Sequence, residues 1–396
     1  MKTHFNTIVI GKGLVGAAAA KYLSLQEKSV AVIGPDEPTH YDEALVFASH
    51  YDQARVQRLI GKDEHWTRLN RDAAAQYPSI EQQSGVRFHD AIGCLYVNPY
   101  GLDEYLQQVP VLSQAFTLPA ESFSTASALN SRFTNFHFPD GATGIFESTP
   151  AGLINPRQLI KAQLALFQQQ QGTIITETAT DVIVTDSQFT VTTTAGNRYY
   201  ADKILVAAGS FVNHFNLLPQ KLALLSKSEV VLLVQLTEED AMQLAHLPSL
   251  LYEINNKEVE GIYLIKPVLY PDGRWYLKLG CNMPEDNYFD TLEQVQQWFR
   301  ETDTTPLANK LLRELNTLMP HLQIVDHTTK NCIVSYTAHR RPYIGETNTP
   351  GLFVAGGCNG YSAMCSDAIG HTAAHRIKKG IFPDGYDSKA FELVYQ

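Results

Sequence analysis

Cysteine is sparse in this chain. Five residues stand apart from one another among 396, none in a C-x-x-C pair. An odd, scattered count excludes a disulfide framework and gives no zinc ribbon, and no metal is expected. No signal segment precedes the first strand, so the expected compartment is the reducing cytoplasm. Long apolar runs are missing as well. The longest strongly apolar stretch, Val230-Val231-Leu232-Leu233-Val234, is far shorter than the ~20 residues of a membrane helix. Positive charge is in deficit: 31 Lys and Arg face 41 Asp and Glu, a net of −10, with only scattered pairs such as Lys378-Lys379 and Arg340-Arg341. That lacks the basic stripe of a nucleic-acid binder. What remains is ordinary for a folded chain, 44% apolar and 18% charged, long enough for two or three domains.

Phe5–Ile10 reads as a buried strand, followed at once by Gly11-Lys12-Gly13-Leu14-Val15-Gly16, an alanine-rich helix over 17–25, and a second strand over Ser29–Ile33. Strand, glycine loop, helix and strand make a βαβ opening. Asn155 and Pro156 cap and start a helix whose apolar residues Leu159, Ile160, Leu164 and Phe167 share one face, with Gly172 as its stop. Strands are expected at 173–176, 181–185, 189–193 and 203–207. The middle of the chain differs: 230–235, 261–266 and 275–279 alternate like antiparallel strands, and Pro271-Asp272-Gly273 is a turn between the last two. Helices are expected at 291–300 and 307–318, then buried strands at 331–335 and 352–355.

Gly11, Gly13 and Gly16 form G-x-G-x-x-G between a strand and a helix. The first permits the tight turn, the second lets backbone approach a pyrophosphate, and the third lets helix and strand pack closely. The helix N-terminus then offers N–H donors to phosphate. One part of the fingerprint departs: the acid expected at the end of the second strand is replaced by Gly34, leaving Asp36 as a substitute for ribose binding or an ordinary turn acid. Two further strands end in small residues, Lys203–Gly209 with Ala208 and Gly209, and Pro350–Gly360 with Gly356 and Gly357. Three such turns suit FAD, a long ligand across one sheet. A C-terminal helix following the last turn aims its positive end at the flavin pyrimidine.

These features, together with Ser49-His50 followed by Arg55 and Arg58, Thr143-Gly144-Ile145-Phe146-Glu147, Tyr200-Ala201-Asp202-Lys203, Leu277-Lys278-Leu279-Gly280 and Cys332 ahead of Tyr343-Ile344, occur in one order along the chain. In that order the chain resembles the D-amino-acid-oxidase-like flavoenzymes, most closely the monomeric sarcosine oxidase branch. The resemblance implies that Lys278 sits near flavin N5 through a water, where a fixed positive charge favours electron transfer to dioxygen; as a lone residue it reads as a surface lysine on a strand. It implies a thioether from Cys332 to the flavin, against which stands the reading of a small buried apolar residue. Arg58 and Arg55 hold a substrate carboxylate or line the flavin, or else form a solvated helix face. His50 neighbours the flavin, and Ser49, Thr180, Gly360 and Tyr361 join the cofactor set.

The substrate end departs from that branch. Where its C-terminal loop carries G-H-G-F-K, this chain has Asn359 for His and Ser362 for Lys; Asn282 stands where an active-site His is usual, and Arg340-Arg341 is an added basic pair. Asn282, Ser362 and Arg340 are therefore candidates to bind a substrate other than sarcosine. The expectation is an α/β fold: a Rossmann-type FAD-binding domain (1–75, 145–215, 325–396) interleaved with an antiparallel-sheet substrate domain (76–144, 216–324). The activity implied is FAD-dependent oxidation of a small-molecule amine or amino acid, with hydride passing from the carbon next to nitrogen to flavin N5, hydrolysis of the imine, and dioxygen reduced to hydrogen peroxide. The alternatives are a dehydrogenase passing electrons to a quinone or carrier, and a flavin-bearing RNA-modification protein.

Overall fold

The computed structural model describes residues 2–185 and 188–396. Its first sheet is built on four parallel strands in the order Thr173–Ile175, Val30–Ile33, His4–Ile10, Arg198–Val206, with Leu352–Gly356 alongside the far half of the last. Ile10 pairs with both Ile33 and Val206, so the strands end level. All three small-residue turns therefore open at one edge, the crevice where ligands of open α/β sheets sit. Gln188–Thr193 and Ala179–Thr185 extend this sheet as an antiparallel flap.

Four consecutive alanines, Ala17 to Ala20, let other helices come close to the helix Leu14–Ser24. Ser366–Lys379 approaches it so tightly that a Cβ on Gly370 would lie 2.5 Å from Cβ of Ala18. Inside this contact, Asp367 accepts from Lys21 Nζ at 2.6 Å, Tyr22 Oη at 2.7 Å and Gln163 Nε2 at 3.1 Å. A buried ion pair of this kind is tolerable because further donors satisfy the carboxylate. Asn155 caps Pro156–Gln169 as the sequence indicates, accepting from Gln158 N at 3.1 Å.

The second sheet runs Tyr288–Phe289, Leu224–Leu236, Trp275–Asn282, Gly261–Leu269, Ser249–Glu253, Cys94–Asn98, Thr143–Glu147, Glu121–Phe123. Asp326–Thr337 also pairs with Leu224–Leu236, so this strand belongs to the second sheet, antiparallel except where Ser249–Glu253 meets Cys94–Asn98 in parallel, although the sequence boundary at 325 groups it with the cofactor segments. Alternation divides its faces. Leu232, Val234, Leu277, Leu279, Ile262 and Leu264 bury one face in a core shared with the helix Thr305–Leu318. The other face turns Glu229, Val231, Gly280, Tyr263 and Cys332 towards the mouth of the first sheet. Residues 55–58 are not a helix face: Arg55–Gln57 is a short strand against Gly152–Ile154. The helix that is present, Glu64–Ser84, begins at Asp63, whose carboxylate accepts from Trp66 N at 2.9 Å.

Candidate active site

A cavity of about 1210 Å³ lies between the two sheets. At its inner end is the glycine loop. Gly11 has φ +109°, and a Cβ there would lie 2.2 Å from the Ala207 carbonyl oxygen. A Cβ on Gly16 would lie 1.8 Å from the Gly11 oxygen, so Gly16 packs and does not face the cavity. Gly13 is different: the nearest atom to a Cβ would be His50 Nδ1, 3.9 Å away. Gly13 also caps the following helix without any side-chain hydrogen bond, leaving first-turn N–H groups directed at the open space. That combination fits a pyrophosphate. His50 is held neutral, its pKa lowered to about 3 by burial and by the charges of Arg157, Lys12 and Arg55.

The missing ribose acid has a steric reason. A Cβ at Gly34 would lie 2.6 Å from Lys12, which occupies that space. Asp36 turns outward and pairs with Lys12, its side chain 72% exposed. Thr180 is also off the wall: its hydroxyl donates to Thr192 O at 3.3 Å beside a strand irregularity, and Thr178 and Ala179 line the cavity instead. Gly357 packs on Thr337, while Leu14, Val15, Ser49, Ala208, Gly209, Gly356, Gly360 and Tyr361 are in the wall.

At the other end stands Arg58, 3% exposed. Its guanidinium lies 4.8 Å from the ring centre of Tyr105 and 5.4 Å from that of Tyr361, with Nε unpartnered. The segment after it is pinned by Glu147, which accepts from Leu59 N at 2.7 Å and Ile60 N at 3.0 Å. Burial raises the Glu147 carboxyl to about 7, against the pull of those N–H groups and of Arg58. Ser362 lines the cavity but donates to Cys358 O at 3.0 Å. Asn359 is tied into the loop, donating to Gly357 O at 2.7 Å and accepting from Thr337 N at 3.0 Å. Asn282 is exposed at the rim and accepts from Lys227 at 3.3 Å. Arg340 lies outside the main cavity, over the Tyr336 ring at 4.7 Å in a side depression, and Arg341 is paired with Asp63 at 2.8 Å.

Lys278 is neither a surface lysine nor part of the wall. It is fully buried, with Nζ on Asp52 Oδ2 at 2.5 Å and donating to Ala54 O at 2.8 Å. Asp52 also pairs with Arg55 and accepts from Tyr270 Oη at 2.8 Å. Cys332 does line the cavity; burial and Glu229 push its thiol up, opposed by Arg55 and Lys278. Glu229 itself has no counterpart among the sequence candidates. Its signal is an acid interrupting an apolar strand, on the same face as Val231 and Leu233.

The sequence model of the family described as FAD dependent oxidoreductase matches residues 6–376. The chain belongs to the FAD-dependent oxidoreductase family. Among its curated relatives, the monomeric sarcosine oxidase of Bacillus sp. (strain NS-129) is 26% identical over 283 residues, 71% of this chain and 69% of that protein. The N-methyl-L-tryptophan oxidase of Yersinia pestis (strain Pestoides F) is 26% identical over 52% of this chain, a match spanning about half (54%) of that relative. Among solved structures, a Tyr-to-Phe mutant of NikD, an amino acid oxidase, superposes with TM-score 0.79 at 17% identity, covering 100% of this chain and 98% of the other. Glycine oxidase from Geobacillus kaustophilus gives 0.74 at 15%, covering 100% of both. The fold of this FAD-dependent oxidoreductase is thus that of the amino acid oxidases. No helix among the described residues is long and apolar enough to cross a membrane.

Proposed function

We propose that this flavoprotein oxidises the C–N bond of an amine that also carries a carboxylate, an amino acid or N-substituted amino acid, with dioxygen as acceptor. The carrying observation is Arg58, a buried guanidinium in the cavity with an unpartnered Nε between two aromatic rings. A planar guanidinium is suited to a carboxylate, and burial makes such a hydrogen bond strong. FAD would be held by the turns at Gly11–Gly13, Ala208–Gly209 and Gly356, with the first helix turn at Leu14 and Val15. When bound it supplies the two-electron acceptor for the hydride that leaves the carbon next to nitrogen. Arg58 fixes the substrate carboxylate, while Tyr105 and Tyr361 close the space around it and exclude water. Lys278, with the Asp52 carboxylate in contact favouring its charged form against the lowering by burial and Arg55, is the residue to offer positive charge to the anion that forms when dioxygen takes an electron. Cys332, at the cavity wall, is the residue to tether the cofactor; colour remaining with acid-precipitated protein, and lost in Cys332→Ala, tests that. Ser362 and Asn359 make sarcosine a poor fit, and five free cysteines are compatible with a reducing cytoplasm. The deciding experiment is a panel of amines and amino acids read by peroxide release and by anaerobic bleaching. Bleaching without oxygen consumption in air would assign another electron acceptor; no bleaching by any carboxylate-bearing amine would overturn the proposal.

A further inference from the structure

Two charged groups of the cavity wall, Glu229 and Arg58, make no ion pair among the described residues. Of the cations closest to Glu229, Arg55 and Lys278 are both paired with Asp52, and Lys227 is paired with Asp286 and hydrogen-bonded to Asn282. Glu229 is left without an ion pair or side-chain hydrogen bond among the described residues, although it lines the cavity. It sits opposite Cys332 in the strand register and on the sheet face that carries Gly280 and Tyr263. Arg58 is the complementary case, a buried cation with no acid in ion-pair contact among the described residues. An unpaired carboxylate removed from bulk water costs free energy unless something of opposite charge meets it. Burial accordingly disfavours its ionised form, with Arg55, Lys278 and Lys227 acting against that and Asp286 adding to it.

Resting on the amino-acid reading above, we infer that Glu229 receives a positively charged nitrogen of the substrate while Arg58 holds its carboxylate, so that the cavity selects a zwitterion. No ion pair joins Glu229 to Arg58, and the ligand supplies the missing partner to each. The nitrogen is either the reacting amine or a second cationic group on the side chain, and the spacing of the two charges distinguishes these sources.

The test uses the yellow protein as isolated and ligands that it cannot oxidise, because a quaternary nitrogen has no lone pair to assist hydride loss. Butyrate, trimethylammonioacetate and 4-trimethylammoniobutyrate are titrated while the visible flavin spectrum is followed. One of the two zwitterions should bind at least tenfold more tightly than butyrate, the short one if Glu229 meets the reacting nitrogen, the long one if it meets a side-chain cation. Glu229→Gln, nearly isosteric, should abolish that preference and leave the butyrate affinity within about threefold. Glu229→Asp, which keeps the charge on a shorter stem, should retain part of it and serves if the Gln variant does not fold. A wild-type protein with no preference, or a preference that survives Glu229→Gln, overturns the inference. Failure of the underlying reading looks different: butyrate does not perturb the flavin, and no carboxylate-bearing amine bleaches it.

Discussion

The ammonium of Lys278 is bound to the carboxylate of Asp52, 226 positions earlier in the chain, at 2.5 Å. The contact joins the antiparallel sheet to the segment that carries Arg55 and Arg58; burial and the Arg55 guanidinium push the lysine pKa well below its ordinary value, and the Asp52 carboxylate in contact with it favours the charged form. Lys278→Met keeps most of the stem and removes the charge. Reoxidation by dioxygen should slow by roughly a hundredfold, while anaerobic reduction by the amine changes much less; stopped-flow measurement separates the two. The same variant leaves Asp52 paired with Arg55 and accepting from Tyr270, so its loss of stability should stay below the roughly 3 kcal/mol of a pair broken to leave an unpaired buried charge. Reoxidation at the wild-type rate would withdraw the support for dioxygen as acceptor.

Two glycines in one motif should fail in different ways. A side chain at Gly13 points into open cavity, whereas one at Gly16 collides with backbone 1.8 Å away. Gly13→Val should bind little FAD and melt like FAD-stripped wild type. Gly16→Val should misfold or melt well below wild type. Full FAD occupancy in Gly13→Val would place the pyrophosphate elsewhere.

Arg58→Lys removes the planar fork but keeps the charge. The Michaelis constant for carboxylate-bearing amines should rise tenfold or more, with a far smaller effect on plain amines of the same size. Equal effects on both would mean that Arg58 supports the wall and does not bind the carboxylate.

Glu147 makes stability depend on pH. Its carboxyl is raised from 4.5 to about 7 by burial, so between those values the folded protein holds a proton that the unfolded chain has released. The contribution is most favourable below pH 4.5 and is lost as pH rises towards 7, by at most about 3 kcal/mol. Glu147→Gln still accepts from Leu59 and Ile60, so its stability relative to wild type should grow between pH 5 and pH 8. Parallel urea midpoints for the two proteins would reject this assignment.

The parts of the fold governed by short-range patterning were legible. The glycine loop, the Asn155 cap and the alternation that sets Lys278 against Leu277 and Leu279 follow from residue spacing alone. The helix Glu64–Ser84 was not read: its buried residues Trp66, Leu69, Ala73, Tyr77 and Ile80 are separated by polar and small residues that carry little pattern contrast, and Pro78 lies within it. The site was legible where backbone makes it, at Gly13, Ala208 and Gly356. It was not legible where side chains from distant strands meet. Lys278 belongs to Asp52, and Asp36 belongs to Lys12, because of contacts that no local pattern records. Glu229 shows the same limit, since its lack of a direct partner depends on which carboxylates Arg55, Lys227 and Lys278 contact.

The carboxylate of Asp367 ties Lys21 to a residue 346 positions later. The helix that carries the glycine loop therefore lacks one of its packing partners until residues 366–379 have left the ribosome. The cofactor cradle matures only once that helix has emerged, and a nascent chain that stops short of it has no finished pyrophosphate site. A nonsense codon ahead of Ser366 should consequently yield colourless, protease-sensitive product, even though every residue of the N-terminal motif has been made.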